Sequence, residues 1–116
     1  MGRMQREKGK RGEREVAALI RGHGFEAWRG QQFRGGEGSP DIVHNIPNVH
    51  MEVKFREQFS LYPALEETAT TVEAIKGNMP VVFHRRKTKP WVVVMYAEDY
   101  LNLVERIREW EATEYG

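Results

Sequence analysis

The chain has 116 residues, of which 40% are apolar and 30% charged, which is typical of one globular domain with its own hydrophobic core. It has no cysteine, which excludes disulfides, thiolate metal sites and a cysteine nucleophile, and its net charge of only +1 excludes a uniformly basic surface. No apolar run reaches membrane-spanning length or follows the basic N-terminus as in a signal peptide, so we expect no membrane association and a cytoplasmic location.

The first predicted element is a helix over residues 12–23, which Gly24 would end. Its apolar stripe consists of Val16, Leu19 and Ile20. Glu13 starts on this core-facing side, where a carboxylate is unexpected unless it has a function. The alternative is that Glu13 only complements the helix dipole. A short strand over residues 25–28 and a glycine-rich loop over residues 30–39 are expected to follow.

Two strands, over residues 41–45 and 49–55, are predicted next, joined as a hairpin around Pro47 and Asn48. The second strand alternates with period 2, and its apolar face consists of Val49, Met51, Val53 and Phe55. Side chains two residues apart project from the same face of a strand, so Glu52 and Lys54 share the other face.

Asp41 begins the first of these strands, so two carboxylates and one ammonium group are expected to converge. Such a cluster binds a hard divalent cation and leaves coordination positions for water and a phosphate. The cluster therefore indicates metal-dependent cleavage of a phosphodiester. The alternative is an ordinary surface hairpin on which Lys54 forms a salt bridge with Glu52.

A second helix is predicted to begin at Pro63 and end at Gly77, followed by strands over residues 81–83 and 91–96 and a last helix over residues 98–112. The stripe of the second helix consists of Leu65, Ala69, Val72 and Ile75. The face of the last helix consists of Tyr100, Leu103, Val104, Ile107 and Trp110.

The basic side chains are segregated along the chain. Residues 1–36 carry nine basic and four acidic side chains, and residues 84–90 carry four basic and none acidic, while the remainder is acidic. Two basic segments in a nearly neutral protein indicate a localised surface for a polyanion. The alternative is that these charges only solvate the surface.

The order α β β β α β, with Asp41 on the second strand and Glu52-Val53-Lys54 on the third, resembles the PD-(D/E)xK nuclease fold. This resemblance implies an α/β, restriction-endonuclease-like core with a central mixed β-sheet flanked by helices. Within that superfamily the order and spacing of several short motifs are similar to archaeal-type Holliday junction resolvases. They are Lys8-Gly9, Glu13-Arg14-Glu15, His23-Gly24-Phe25, Arg29, Pro40-Asp41 and Glu52-Val53-Lys54. The segment over residues 80–91 further resembles phage-encoded members.

The expected active-site residues are Glu13, Arg29, Asp41, Glu52 and Lys54. Asp41 and Glu52, with the Val53 carbonyl, would bind Mg²⁺, for which Mn²⁺ would substitute. Lys54 would hold the attacking water or stabilise transition-state charge. The resemblance implies that Glu13 completes the metal shell and that Arg29 clamps a phosphate. The expected DNA-contacting residues are Arg3, Arg6, Lys8, Lys10, Arg11, Arg34, Ser39, Arg85, Arg86, Lys87 and Lys89.

We therefore expect a single nuclease domain over residues 1–116 with a basic, mobile arm over residues 1–10. The expected activity is Mg²⁺-dependent resolution of four-way DNA junctions by a homodimer. The alternatives are another nicking, flap or repair nuclease on the same fold, or a DNA-binding protein without turnover. Many relatives have a glutamine in the helix after the lysine, where this chain has Glu66 and Glu67. It stays open whether either glutamate reaches the site.

Overall fold

The computed structural model describes residues 3–30, 41–71 and 76–115. Within these ranges the predicted order of helices and strands is confirmed. The elements are α1 (Arg3–Gly22), β1 (Ala27–Arg29), β2 (Ile42–His44), β3 (Val49–Phe55), α2 (Leu61–Ala69), β4 (Met79–Arg85), β5 (Val92–Val94) and α3 (Ala97–Tyr115). The bounds of β3 are those that its period-2 alternation predicted.

The strands form two small sheets. In the first, β1 and β2 are antiparallel, with Ala27 opposite His44. In the second, β3 lies parallel to β4 and β4 antiparallel to β5, so this sheet is mixed, as predicted. The predicted hairpin between β2 and β3 is wrong, because these strands join different ladders. One reason is local: the Val53 N–H, which a hairpin ladder could use, donates to the Asp41 carboxylate over 2.8 Å.

Helix α1 packs one side against both sheets. The core cluster consists of Val16, Ala17, Ile20, Ala27, Ile42 and Met51. The prediction that Leu19 belongs to the core stripe is wrong, since its side chain is 42% exposed and Ala17 takes its place. The helix also begins at Arg3 rather than at residue 12. Its first turns are rich in Arg, Lys, Glu and Gln, which are good helix formers. That the arm is mobile stays a prediction.

Helix α2 covers the second sheet through Ala64, Leu65 and Thr68, all of them buried. The predicted start at Pro63 is two residues late, because proline is tolerated within the first turn, where no intrahelical N–H bond is required. The regular helix ends at Ala69, not at Gly77. Val72 and Ile75 of the predicted stripe lie outside the described residues.

Helix α3 projects away from the rest of the molecule. Most of its large apolar side chains are exposed: Tyr100, Leu101, Val104, Ile107 and Trp110 are each between 42% and 60% accessible. Leu103, which also belongs to the predicted face, is half-buried. The radius of gyration, 15.3 Å, accordingly exceeds the roughly 13 Å expected of a compact chain of this length. The apolar face predicted for the last helix is therefore largely uncovered. Among the described residues, no helix is both long and apolar enough to cross a membrane.

Candidate active site

Asp41 lies between the two sheets. Its backbone carbonyl accepts a hydrogen bond from the Gly30 N–H over 2.8 Å, which ties it to the end of β1. Its side-chain Oδ2 accepts from the Val53 N–H over 2.8 Å. Because the backbone N–H groups of a strand lie in the plane of the sheet, this bond fixes the carboxylate at the edge of β3.

Glu52 and Lys54 project from β3 beside this edge, as the alternation predicted. Lys54 Nζ lies 3.8 Å from Glu52 Oε2, and both side chains are less than one-fifth exposed. This is the ion pair that the alternative interpretation expected. Its burial distinguishes it from a surface pair, because desolvated charges interact strongly with one another and with any bound ion.

Glu13 of α1 is buried, with 9% of its surface exposed, which confirms that it faces the core. Its Oε1 accepts a hydrogen bond from Arg29 Nε over 2.7 Å. Arg29 ends β1, so this ion pair joins the helix to the first sheet. The expected phosphate clamp is thus held by a carboxylate of the same site.

The carboxylates of Glu13, Asp41 and Glu52 form a chain of repelling charges centred on Asp41. Burial, and then repulsion by Glu52, raises the pKa of Asp41 against the opposing effects of the Val53 hydrogen bond and of Lys54. Burial, and then repulsion by Asp41, raises the pKa of Glu13, although Arg29 opposes this. Negative charge is therefore under-compensated around Asp41, which is the electrostatic condition that a bound cation relieves.

His50 is a residue of this site that sequence reasoning missed. It precedes Glu52 by two positions on β3, is 5% exposed, and its Nε2 has no hydrogen-bond partner. That nitrogen lies 3.7 Å from Glu52 Oε1, which is too long for a hydrogen bond. The nearby ring is nevertheless the largest cause that lowers the pKa of Glu52, with burial opposing and Lys54 assisting. The same two-residue period that places Glu52 and Lys54 on one face of β3 also places His50 on that face.

The donor set fits a hard divalent ion without forming a complete cage. Among the residues that the structure describes, no three His, Cys, Asp or Glu side chains form a ready-made metal site. Two carboxylates and a backbone carbonyl are oxygen ligands of the kind that Mg²⁺ and Mn²⁺ accept, and Mg²⁺ usually retains several waters. Asp41, Glu52 and Val53 could hold such an ion and leave positions for substrate.

A cleft of about 430 Å³ opens beside the carboxylates rather than over them. It is lined by His44, His50 and Asn78 among others, and it does not include Asp41 or Glu52.

The two basic segments are brought to one side of the fold. Lys8 and Arg11 of α1 and Arg85 of β4 gather around the Phe55 ring. The other predicted DNA-contacting side chains that the structure describes are exposed on α1 or on the turn after β4: Arg6, Lys10, Arg86, Lys87 and Lys89. The side chain of Arg3, and residues Arg34 and Ser39, lie outside what is described. Glu66 and Glu67 are exposed on α2.

Comparison with known proteins identifies the family. A sequence profile described as "Archaeal holliday junction resolvase (hjc)" matches residues 4–115. No curated protein sequence matches significantly. The structure of Archaeoglobus fulgidus Hjc, a Holliday junction resolvase from an archaeal hyperthermophile, is similar with a TM-score of 0.55 and 25% identity, over 76% of this chain and 72% of that one.

These similarities confirm the predicted restriction-endonuclease-like α/β fold and the predicted nuclease class. Neither bears on a phage origin or on location in the cell, which stay predictions. The profile covers nearly the whole chain, from residue 4 to residue 115. The chain belongs to the Hjc family of Holliday junction resolvases, metal-dependent nucleases that resolve four-way DNA junctions.

Proposed function

We propose that this nuclease uses Mg²⁺, for which Mn²⁺ can substitute, held by Asp41, Glu52 and the Val53 carbonyl. The observation that carries the proposal is the chain of buried, mutually repelling carboxylates around Asp41. Like charges that are partly desolvated repel one another, and a cation offsets that cost when it binds. When bound, the ion supplies a Lewis acid that lowers the pKa of a coordinated water and neutralises charge on the phosphate.

The side chains of the site have separate tasks in this scheme. Lys54 is held by Glu52 within reach of the reacting phosphate, where its ammonium group stabilises the charge that develops in the transition state. Arg29 contributes a planar guanidinium that clamps a phosphate oxygen, and its bond to Glu13 fixes its direction. Glu13 completes the ligand set, directly or through a water. Hydrolysis would leave a 5′-phosphate and a 3′-hydroxyl.

The test of the site separates binding from turnover. Asp41→Asn and Glu52→Gln should each abolish Mg²⁺-dependent cleavage of a four-way junction. Binding, measured by gel shift with chelator present, should be retained or stronger because each change removes a charge that repels phosphate. Glu26→Gln is the matched control, since Glu26 is exposed and lies away from the carboxylates. Near-normal turnover by either site variant would refute the assignment.

Substrate preference is tested with the same protein. Contacts from Arg and Lys to phosphates carry no base information, so cleavage should depend on branch shape rather than on sequence. We expect four-way junctions to be cut faster than Y-forks, flaps and duplex. A preference for flaps or forks would identify another branched DNA as the substrate and would leave the proposed chemistry unchanged.

We also propose that the active unit is a two-fold symmetric dimer in which a second copy covers the apolar face of α3. A four-way junction has approximate two-fold symmetry and must be cut on two strands, so a closed dimer with two equivalent sites fits the task. Exposed Val92 and Val93 of β5 and exposed Tyr96 extend the apolar face toward the sheet. Trp110 is the anchor that this surface offers, because Trp91 already packs against Phe55.

The dimer is tested by light scattering at micromolar concentration. The wild type should be dimeric and Trp110→Glu monomeric. Trp28→Glu is the control, since Trp28 is 53% exposed on β1, away from α3. Mixed dimers with one Asp41→Asn subunit should accumulate single nicks instead of paired cuts. A wild type that stays monomeric, both free and on the junction, would contradict the dimer.

A further inference from the structure

Three cationic side chains, which come from both basic segments, lie around the aromatic ring of Phe55. Lys8 Nζ lies 4.8 Å from the ring centroid, the Arg11 guanidinium carbon 5.5 Å and the Arg85 guanidinium carbon 4.9 Å. Each distance is within the range of a cation–π interaction. Cations this close to one another repel, so something must hold them together when no polyanion is bound.

Glu15 holds two of the three, Arg11 and Arg85. Its carboxylate accepts hydrogen bonds from Arg11 Nε over 2.9 Å, from Trp91 Nε1 over 3.1 Å and from Arg85 Nη1. These partners come from α1, from the end of β4 and from the residue before β5. Burial alone would raise the pKa of Glu15, but the hydrogen bonds from Arg11 and Trp91 and the charge of Arg85 lower it overall. The carboxylate is therefore ionised at neutral pH.

The relative exposure of Glu15 and its partners determines which charge the cluster presents to solvent. The Glu15 side chain is 26% exposed, whereas that of Arg11 is 63% exposed. The carboxylate thus lies beneath the Arg11 guanidinium, whereas the Arg85 side chain, which is 19% exposed, lies deeper and anchors the carboxylate from below. Arg11 therefore presents the positive charge of the cluster at the surface. A guanidinium has five N–H donors in a planar fork, and the bond from Arg11 to Glu15 uses one of them.

We propose that Glu15 is a positioning residue that holds Arg11 and Arg85 as one phosphate-binding unit for a DNA arm beside the cleavage site. The proposal rests on the proposed function, in which the basic segments contact the DNA backbone. It makes a prediction of unexpected sign. Removing a carboxylate near a polyanion normally strengthens binding, as for Asp41→Asn, whereas removing Glu15 frees two arginines and weakens it.

The test compares Glu15→Gln with Glu7→Gln by junction binding in chelator across a salt series. Glu7 is the matched control, because it is an exposed glutamate on the same helix. Each phosphate that the protein neutralises contributes about −0.9 to the slope of log K against log salt. We expect Glu15→Gln to bind more weakly, and its negative slope should be shallower by about 0.9 for each phosphate it no longer neutralises. For each such phosphate the wild-type advantage shrinks about 3.5-fold between roughly 50 and 200 mM salt. Glu7→Gln should bind as wild type or more tightly.

A double-mutant cycle and a structural control separate positioning from simple stabilisation. If Glu15 acts through Arg85, Glu15→Gln should have a smaller effect on the slope in an Arg85→Ala background. Trp91→Phe removes one bond to Glu15 but keeps an aromatic ring against Phe55. It should lower the melting temperature and leave the slope unchanged.

Three results would overturn the proposal: binding by Glu15→Gln as tight as that of wild type with the same slope, additivity with Arg85→Ala, or an equal reduction of the slope in Trp91→Phe. Wild-type cleavage of the junction, assayed in parallel, distinguishes these from failure of the proposed function. If the wild type cleaves and Glu15→Gln binds normally, only the positioning role fails.

Discussion

Gly12 of α1 lies directly against β3, where an added methyl group would have no room. A Cβ at this position would lie 2.9 Å from Phe55 Cβ and 3.4 Å from both Val53 Cγ1 and a ring carbon of Trp91. The nearest atom is attached directly to the β3 backbone, so no side-chain rotation relieves the clash. Gly12→Ala must therefore push the helix and the strand apart.

The magnitude follows from two opposing effects. Overpacking of this kind costs about 1–3 kcal/mol. Replacing glycine by alanine inside a helix gains about 0.8–1.0 kcal/mol. Gly9 lies on the same helix, and a Cβ at this position would meet no atom within 4 Å. Gly9→Ala therefore isolates the second effect. We expect Gly9→Ala to be stabilised by about 0.8–1.0 kcal/mol and Gly12→Ala to be changed by between roughly zero and 2 kcal/mol of destabilisation.

Urea denaturation of both variants measures the difference, which should be about 1–3 kcal/mol and equals the crowding cost alone. For a chain of this length that corresponds to roughly 3–6 °C in melting temperature per kcal/mol. Because Glu13 follows Gly12 directly, Gly12→Ala should also slow cleavage more than Gly9→Ala does. Equal gains in stability for the two variants would refute the close approach of α1 to β3.

Three further predictions concern charge. In chelator at about pH 8, Asp41→Asn should melt at a higher temperature than wild type, because burial and Glu52 raise the pKa of Asp41 and its ionised form therefore opposes folding. The difference in melting temperature should disappear as the pH falls below that pKa. A difference that does not depend on pH would contradict this prediction. Replacing Arg86 and Lys87 with alanine should make the slope of log K against log salt for junction binding shallower by about 1.8, which corresponds to two phosphate contacts. An unchanged slope would mean that these side chains only solvate the turn. Arg29→Lys should slow cleavage with little loss of binding, because lysine cannot reproduce the guanidinium fork, and wild-type cleavage rates would exclude a clamp.

The part of the fold that could be predicted is the part specified by local pattern. Strand β3 alternates over seven residues, which indicated both its bounds and the face shared by Glu52 and Lys54. The pairing of β3 with β4 could not be predicted in the same way. These strands are parallel and are separated by α2, so their register depends on contacts distant in sequence. A turn such as Pro47-Asn48 favours a hairpin locally, and nonlocal pairing overrode it.

The limits of the helix predictions also have physical causes. The predicted helix over residues 12–23 rested on an apolar stripe that starts at Val16, whereas the first turns of α1 are polar and carry no such stripe. At Gly12 the residue is required by the approach of β3, which only the tertiary structure reveals. For α3 the apolar face was recognised, but a face that fits a core fits a partner subunit equally well. Amphipathicity does not specify which of the two covers it.

Within the site, the sequence indicated the carboxylates better than the residues that orient them. Glu13 was identified by its position on the core-facing side of α1. The i, i+4 spacing of Arg11 and Glu15 on α1 indicates the bond between them. The same spacing cannot indicate the other partners of Glu15, because Arg85 and Trp91 are 70 and 76 positions away. A positioning residue can be identified only when its partners are known, and only the fold brings those partners together.

The two functional parts of the surface are joined through α1. Glu13 and Glu15 are two positions apart, and at 3.6 residues per turn their side chains leave opposite sides of the helix. One reaches Arg29 and the charge of Asp41, and the other reaches Arg11, Arg85 and Trp91. A displacement of α1 should therefore change cleavage and DNA binding together. A change confined to the turn after β4 should alter binding alone, so the ratio of the two effects reports which element has moved.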